Sequence, residues 1–231
     1  MYAITGASGN TGSRVARTIL ARGEKVRAIA RNADHIRSLT AAGAEPFTCD
    51  LTDTAALAKA FSGAKAVYAM IPPNLTNQDY RAYQNQVTNS IASALQKCGV
   101  KHAVILSSIG ADKKEKTGPV TGLHALEQRL NQIPGLNVLH LRPGYFMENT
   151  LAQTGAVKAM GTTAGTLRPD LKLPVIATRD IGAVAAEQLL KLDFRGQTIR
   201  ELLGPRDLSM AEVTTIIGKS INRPDLTYTQ I

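Results

Sequence analysis

Tyr2-Ala3-Ile4-Thr5-Gly6-Ala7-Ser8-Gly9-Asn10-Thr11-Gly12 opens the chain with a short apolar run, then glycines spaced G-x-x-G-x-x-G, then an amphipathic segment from Thr11 to Arg22. Read as strand, tight turn and helix, this stretch gives each glycine a task. Gly6 turns the chain sharply out of the strand, Gly9 lets backbone approach a pyrophosphate, and Gly12 lets helix pack close to sheet. The start of the helix adds free N–H groups and a partial positive charge suited to phosphates. A tight turn with no ligand would use the same residue types. Its place at the first strand-to-helix turn of an alternating array is what favours dinucleotide binding.

The alternation continues downstream. Strands are predicted at 25–30, 45–48, 66–70, 102–106 and 137–141, with helices at 33–42, 54–61, 79–98 and 124–132 between them. Repeated βαβ units with short connections imply a parallel sheet covered by helices on both faces, a Rossmann-like doubly wound α/β fold. The runs Ala66 to Met70 and Ala103 to Leu106 do not alternate with polar residues, as expected of strands buried on both faces. Beyond Pro143 the regularity weakens, and 150–173 reads as a helix and loops. Order returns with Arg179-Asp180 as an N-cap before Ile181 to Lys191, a strand at 197–202, and Ser209-Met210-Ala211-Glu212 as a capping box opening a helix to Lys219. A last strand over 226–231 has nothing after it to pack against. The chain is read as one domain, 1–231, in which 144–178 and 203–231 form a small C-terminal substrate-side lobe.

Composition narrows the function classes. With 231 residues, 44% of them hydrophobic and 19% charged, the chain is long and apolar enough for a sizeable core, which excludes disorder. Apolar stretches such as Ile181 to Ala186 fall far short of the roughly 20 residues of a membrane span. The N-terminus runs straight into a strand without a basic and then apolar leader, so a cytoplasmic location is expected. Cys49 and Cys98 lack C-x-x-C spacing and read as buried thiols, and no metal site is expected. The net charge of +9 is spread along the chain. Its densest run, Lys113, Lys114 and Lys116, is interrupted by Glu115, and no nucleic-acid motif accompanies it, so a basic surface is expected rather than a nucleic-acid site.

The second strand ends Val26-Arg27-Ala28-Ile29-Ala30-Arg31, without the acidic residue that would accept bonds from a ribose 2′-hydroxyl. Arg31 could instead fork around a 2′-phosphate and stack on adenine, which favours NADP(H) over NAD(H). Asp50-Leu51, after the third strand, is the natural place for adenine contacts, although Asp50 could equally cap the next helix together with Thr52. Ser107 and Ser108 end a central strand at the carboxyl edge where ligands sit in open α/β sheets, although the same hydroxyls could serve only to satisfy the end of the strand.

The glycine loop, Thr48-Cys49-Asp50-Leu51, Ser107-Ser108-Ile109-Gly110, Leu141-Arg142-Pro143-Gly144-Tyr145-Phe146-Met147-Glu148-Asn149 and Thr178-Arg179-Asp180-Ile181 together resemble the NmrA-like branch of the atypical short-chain dehydrogenases. That branch includes bacterial NADPH-dependent quinone oxidoreductases and redox-sensing regulators. The resemblance covers nearly the whole chain. It implies that Gly6, Gly9, Asn10 and Thr11 meet the pyrophosphate, with Ser8 and Gly12 in the same loop, Arg31 at the adenosine phosphate, and Asp50 and Leu51 at the adenine. Ala69, Met70 and Ile71 would line the middle of the cofactor, and Pro143 to Phe146 would lie near the nicotinamide, while the strand-end position, apart from the resemblance, would put Ser107 and Ser108 at the substrate or ribose. Relatives usually have a longer C-terminal portion, so the chain reads as a shortened member or as a truncated gene product.

Short-chain dehydrogenases normally use Tyr-x-x-x-Lys, in which lysine lowers the tyrosine pKa for proton exchange with a carbonyl or alcohol. None of Tyr2, Tyr68, Tyr80, Tyr83, Tyr145 and Tyr228 has a lysine four positions on. On the corresponding helix stand His124 and Glu127, and His124 and Tyr145 are the candidate catalytic residues. Quinone reduction needs little acid help, because an electron-poor ring takes hydride readily and its delocalised anion can be protonated by water. The expected function is therefore NADPH-dependent hydride transfer to a quinone-like or conjugated carbonyl acceptor, a small molecule. The alternative is a non-catalytic NADP(H)-binding redox sensor that reports to a protein partner. The sequence leaves turnover, a protein partner, and monomer against homodimer open.

Overall fold

Tyr2, Ala3 and Ile4 have no solvent-exposed surface, and they form the first strand, β1 (Tyr2–Ile4), of a parallel sheet. The computed structural model of the chain describes residues 1–74 and 76–231. In chain order there follow α1 (Asn10–Leu20), β2 (Val26–Ala30), a 3-10 turn running into α2 (Arg37–Ala41), β3 (Glu45–Thr48), α3 (Thr54–Phe61), β4 (Ala66–Ala69), α4 (Tyr80–Cys98), β5 (His102–Leu106), α5 (Val120–Asn131) and β6 (Asn137–Pro143). Then come β7 (Tyr145–Phe146), a 3-10 segment, α6 (Thr154–Met160), β8 (Thr163–Gly165), β9 (Leu173–Ile176), α7 (Thr178–Lys191), β10 (Gln197–Leu202), β11 (Asp207–Leu208), α8 (Met210–Ser220) and β12 (Tyr228–Gln230).

Met1–Arg142 with Arg179–Glu201 form one compact unit, and Pro143–Thr178 with Leu202–Ile231 form another. The seven-stranded sheet runs β10-β6-β5-β4-β1-β2-β3. β1 to β6 pair in parallel, with Ile4 opposite both Ala28 and Tyr68. Strand order reverses between β1 and β4, the switch point at whose carboxyl edge ligands bind in such sheets. The apolar runs behave as their patterns require: every residue of β4 and of 103–106 is buried, whereas edge strand β3 is largely exposed.

Several boundaries differ from the sequence reading for local reasons. Helix α5 begins four residues early, at Val120, because Pro119 starts it with φ already near −60°. Gly122, in the first turn of α5, is a close-approach glycine. The Gln84 side chain, whose Nε2 donates to Pro119 O at 2.8 Å, occupies the space a Cβ there would need. Helix α3 is capped by Asp53, which accepts from the amides of Ala55 and Ala56. Asp50 closes a turn by accepting from the Thr52 amide and hydroxyl.

In the second unit, β7, β9 and β11 form a small sheet with β9 central, parallel to β7 and antiparallel to β11. These strands are two to four residues long, too short for a period-two pattern to register. β12 pairs in parallel with β8 upstream, so the final strand does have a partner. Ser209 and Glu212 form the expected capping box on α8. Helix α7 starts at Thr178 rather than after Arg179-Asp180, because the Glu148 carboxylate accepts from the Thr178 amide at 3.0 Å and its hydroxyl at 2.6 Å. A carboxylate brought from 30 residues upstream does what a local cap residue does elsewhere.

Candidate functional site

The turn after β1 is shaped by what cannot fit in it. Gly6 has φ +59°, a conformation that disfavours L side chains, and a Cβ there would lie 3.1 Å from Met70 Sδ. A Cβ at Gly12 would overlap the carbonyl oxygen of Gly6 and lie 2.9 Å from that of Thr5, so only glycine lets α1 begin against the turn. Gly9 is the N-cap and brings no side chain to it. The amides of Asn10, Thr11 and Gly12 lie ahead of the first intrahelical partners, and no acidic residue stands in the first turn. The turn is held from the sheet side, where the Ala7 amide donates to Ile29 O and the Met70 amide to Thr5 Oγ1. α7 crosses close to this end of α1. A Cβ on Gly182 would come within 3.0 Å of Thr11 O.

Two residues expected at the ligand turn their side chains inward. The Thr11 hydroxyl is buried and accepts from Tyr68 Oη at 3.0 Å, which leaves its backbone amide as the group facing the turn. Burial, only partly offset by the bond to Thr11, raises the Tyr68 pKa. Ser107 Oγ is likewise buried and donates to Glu127 Oε1 at 2.5 Å. That carboxylate also receives Arg142 Nε at 3.0 Å and Nη2 at 2.6 Å, a two-pronged ion pair in which Glu127 has a side-chain exposure of 2%. The contact raises the Arg142 pKa. Glu127 and Arg142 were visible as motif residues, yet their pairing joins positions 15 apart that spacing alone does not connect.

At the end of β2, Arg31 is exposed and forms no ion pair among the described residues. Tyr83 is near it. Burial raises the Tyr83 phenol, the Asp50 carboxylate raises it further, and the Arg31 charge opposes both. The charges of Arg31 and Asp50, which follow two different strands, are thus both felt at Tyr83 on α4. Leu51 and Ile71 are buried, Ala69 ends β4 with no exposure, and Met70 is half-buried over Gly6. Next to Asp50, burial and the carboxylates of Asp53 and Asp50 push the Cys49 thiol up to about 11, which keeps it protonated and inert. Both cysteines are free.

His124 is half-buried, and its Nδ1 lies 2.8 Å from Ala111 O. A carbonyl can only accept, so Nδ1 carries a hydrogen, and Nε2 is left for another partner. The ring lines an open groove with Arg81, Lys114, Gln128, Arg129 and Gln132. In the second unit, buried Pro143 ends β6 and Tyr145 lies half-buried on β7. Burial raises the Tyr145 phenol, and nearby Tyr228 adds to the shift, so its hydroxyl stays protonated at neutral pH. Tyr145 lines two cavities. One, of about 340 Å³, is walled by Met147, Val175, Leu208, Val213 and Ile217; the other, of about 320 Å³, includes Gln153, Thr166 and Tyr228. Among the described residues no group of His, Cys, Asp and Glu could hold a metal ion, and no helix is long and apolar enough to cross a membrane.

A glycine turn at the switch point of a doubly wound parallel sheet defines a Rossmann-like α/β protein. Residues 2–231 match the NmrA-like family, and the chain belongs to it. It is 30% identical over 228 residues to an NAD(P)H azoreductase of Xenophilus azovorans, covering 97% of this chain and 75% of the relative. Its fold is similar to that of an NADPH-dependent quinone oxidoreductase from Escherichia coli in complex with NADPH, with a TM-score of 0.84 and 25% identity over all of this chain and 78% of that one. The negative transcriptional regulator NmrA in complex with NADP shares the fold at 19% identity, with a TM-score of 0.78 over all of this chain and 74% of that one.

Proposed function

We propose that this chain is an NADPH-dependent oxidoreductase that reduces a quinone-like or conjugated carbonyl acceptor, with NADP(H) preferred to NAD(H). The observation that carries the reading is the glycine turn, where Gly6 and Gly12 leave no room for side chains and the first amides of α1 have no partner within the helix. Such a cradle fits a pyrophosphate, because backbone amides can close on phosphate oxygens without side-chain interference. Gly6, Ser8, Gly9, Asn10, Thr11 and Gly12 would hold the pyrophosphate through the main chain. Arg31 would meet the 2′-phosphate, with Asp50, Leu51 and Tyr83 around the adenine. The bound nicotinamide supplies the hydride.

The residues of this chain have supporting tasks. Ser107 is held by Glu127, which Arg142 in turn pairs, and acts as a positioning residue for the strand end rather than as a proton donor, since its hydroxyl is already engaged. The protonated Tyr145 hydroxyl can donate a hydrogen bond to an acceptor oxygen, and the apolar wall beside it offers a surface for a ring. His124 Nδ1 is engaged by Ala111 O, which leaves Nε2 as the ring atom that can exchange a hydrogen bond with a ligand. The similarity to the azoreductase and the quinone oxidoreductase supports reduction as the reaction type.

The test follows NADPH absorbance with a panel of quinones, using Gly9→Asp as control. An aspartate at the N-cap position favours the helix yet places negative charge where the phosphates would sit, so it removes binding without removing the fold. Oxidation above the control with at least one quinone is expected. Binding without oxidation across the panel would leave a nucleotide sensor and sink the reductase reading. Arg31→Ala should weaken NADPH about tenfold and leave NADH unchanged; equal effects on both would show that the 2′-phosphate is read elsewhere.

A further inference from the structure

The apolar cavity of the second unit carries one charge. Its wall is made of Tyr145, Met147, Val175, Leu208, Val213 and Ile217, and its volume of about 340 Å³ falls in the range of small-molecule sites. Among the described residues Arg206 is the single charged one lining it, adjacent in sequence to Pro205, which also lines the wall. Among the described residues Arg206 forms no ion pair, whereas Arg168 and Arg223 of the same unit are each paired with an aspartate two positions on. Arg206 is exposed, so it lines the chamber without its charge being stripped of water. Tyr145 and Met147 offer an aromatic face and a polarisable sulfur to a ring, and a guanidinium can stack on a ring while gripping a carboxylate, sulfonate or phosphate.

We infer that this cavity selects its ligand by charge as well as by shape: a compact aromatic or conjugated ring system fills the apolar chamber, and one anionic group on it pairs with Arg206. Calling that ligand the acceptor rests on the reductase reading, whereas the binding claim does not. A neutral ring of the same size leaves Arg206 in water and loses only the charge-assisted contact, so discrimination is moderate rather than absolute.

The test is calorimetric titration of the full chain, without nucleotide, against naphthalene-2-sulfonate and naphthalene-2-sulfonamide, two ligands with one ring body and different charge. The sulfonate should bind about five- to tenfold tighter. Arg206→Met should bring the two within about twofold, Arg206→Lys should restore part of the preference, and Val213→Trp should weaken both by filling the chamber. Equal affinities in the native chain, a preference that survives Arg206→Met, or no binding of either ligand would overturn the inference. So would sedimentation showing that a second copy of the chain fills the cavity and competes with the ligands. Turnover separates the two claims. If the sulfonate is preferred but neither 1,4-naphthoquinone nor its 2-sulfonate oxidises NADPH, charge selection stands and the reductase reading falls. If both quinones turn over with equal KM in native and Arg206→Met chains, the reductase reading stands and charge selection falls.

Discussion

The glycine turn of the first unit and the chamber of the second are built from opposite materials. The turn is main chain throughout: glycines that admit no Cβ, helix amides without intrahelical partners, and neighbours such as Thr11 and Tyr68 whose hydroxyls bond each other beneath it. The chamber is side chain throughout, with apolar residues that range from buried Val175 to exposed Ile216 and, among the described residues, one cation, Arg206. A site made of backbone depends on the tightly packed sheet that supports it. A site made of side chains can change its lining without disturbing the fold, so specificity is easier to vary in the chamber than in the turn.

The contrast predicts where substitutions hurt most. The largest loss is expected at Glu127, where Glu127→Gln leaves Arg142 beside Ser107 without its counter-charge and costs about 3 kcal/mol in denaturant unfolding. Replacing both partners, with Glu127→Gln and Arg142→Met, should recover part of that loss. Gly12→Ala comes next. Its methyl would meet the Gly6 carbonyl, so a cost of about 2 kcal/mol is expected, together with weaker NADPH binding in the same titration.

His140 provides a pH-dependent test of the same packed interior. It is fully buried in β6, its Nε2 lies 2.8 Å from Asn131 Oδ1, and its Nδ1 has no partner among the described residues. Burial pushes its pKa down to about 4, helped by Arg142 and opposed by Glu127. Unfolded, the imidazole takes a proton near its ordinary value of 6.5, which the native chain refuses until about 4. Its stabilising contribution is therefore full above pH 6.5 and is lost as pH falls from 6.5 to 4. Between pH 8 and pH 5 unfolding stability should drop by about 2 kcal/mol, and His140→Leu should flatten that dependence even though the variant starts lower. The smallest effect belongs to the chamber. Ile216 lines it while 43% exposed, so Ile216→Ala should cost under about 1 kcal/mol. A loss there equal to that at Gly12 would erase the contrast between the two regions.

How much of this was legible in the sequence follows the same division. Strands buried on both faces, such as Ala66–Ala69, and the glycine turn announce themselves because local pattern and global position agree. The Rossmann-like order and the long helix α4, with Asp79 as its cap and Gly99 in the left-handed conformation at its end, could be placed closely. The short strands β7, β8, β9 and β11 could not, since two to four residues carry no period. The ion pair of Glu127 with Arg142 and the capping of α7 by Glu148 were hidden for another reason. Both join positions far apart in sequence, and only the fold brings them into contact. Thr11 and Ser107 stand at the expected places, yet their hydroxyls face inward, a detail set by the partners Tyr68 and Glu127 rather than by motif.

The central claim is that the first turn of α1 holds the phosphates of a nicotinamide dinucleotide. Titration calorimetry of the native chain and of Gly9→Asp with NADPH and with NADH tests it directly. A saturable one-site isotherm for the native chain, tighter for NADPH than for NADH and absent in Gly9→Asp, is the expected result. Native and Gly9→Asp chains giving the same isotherm, or no heat with either nucleotide, would contradict it.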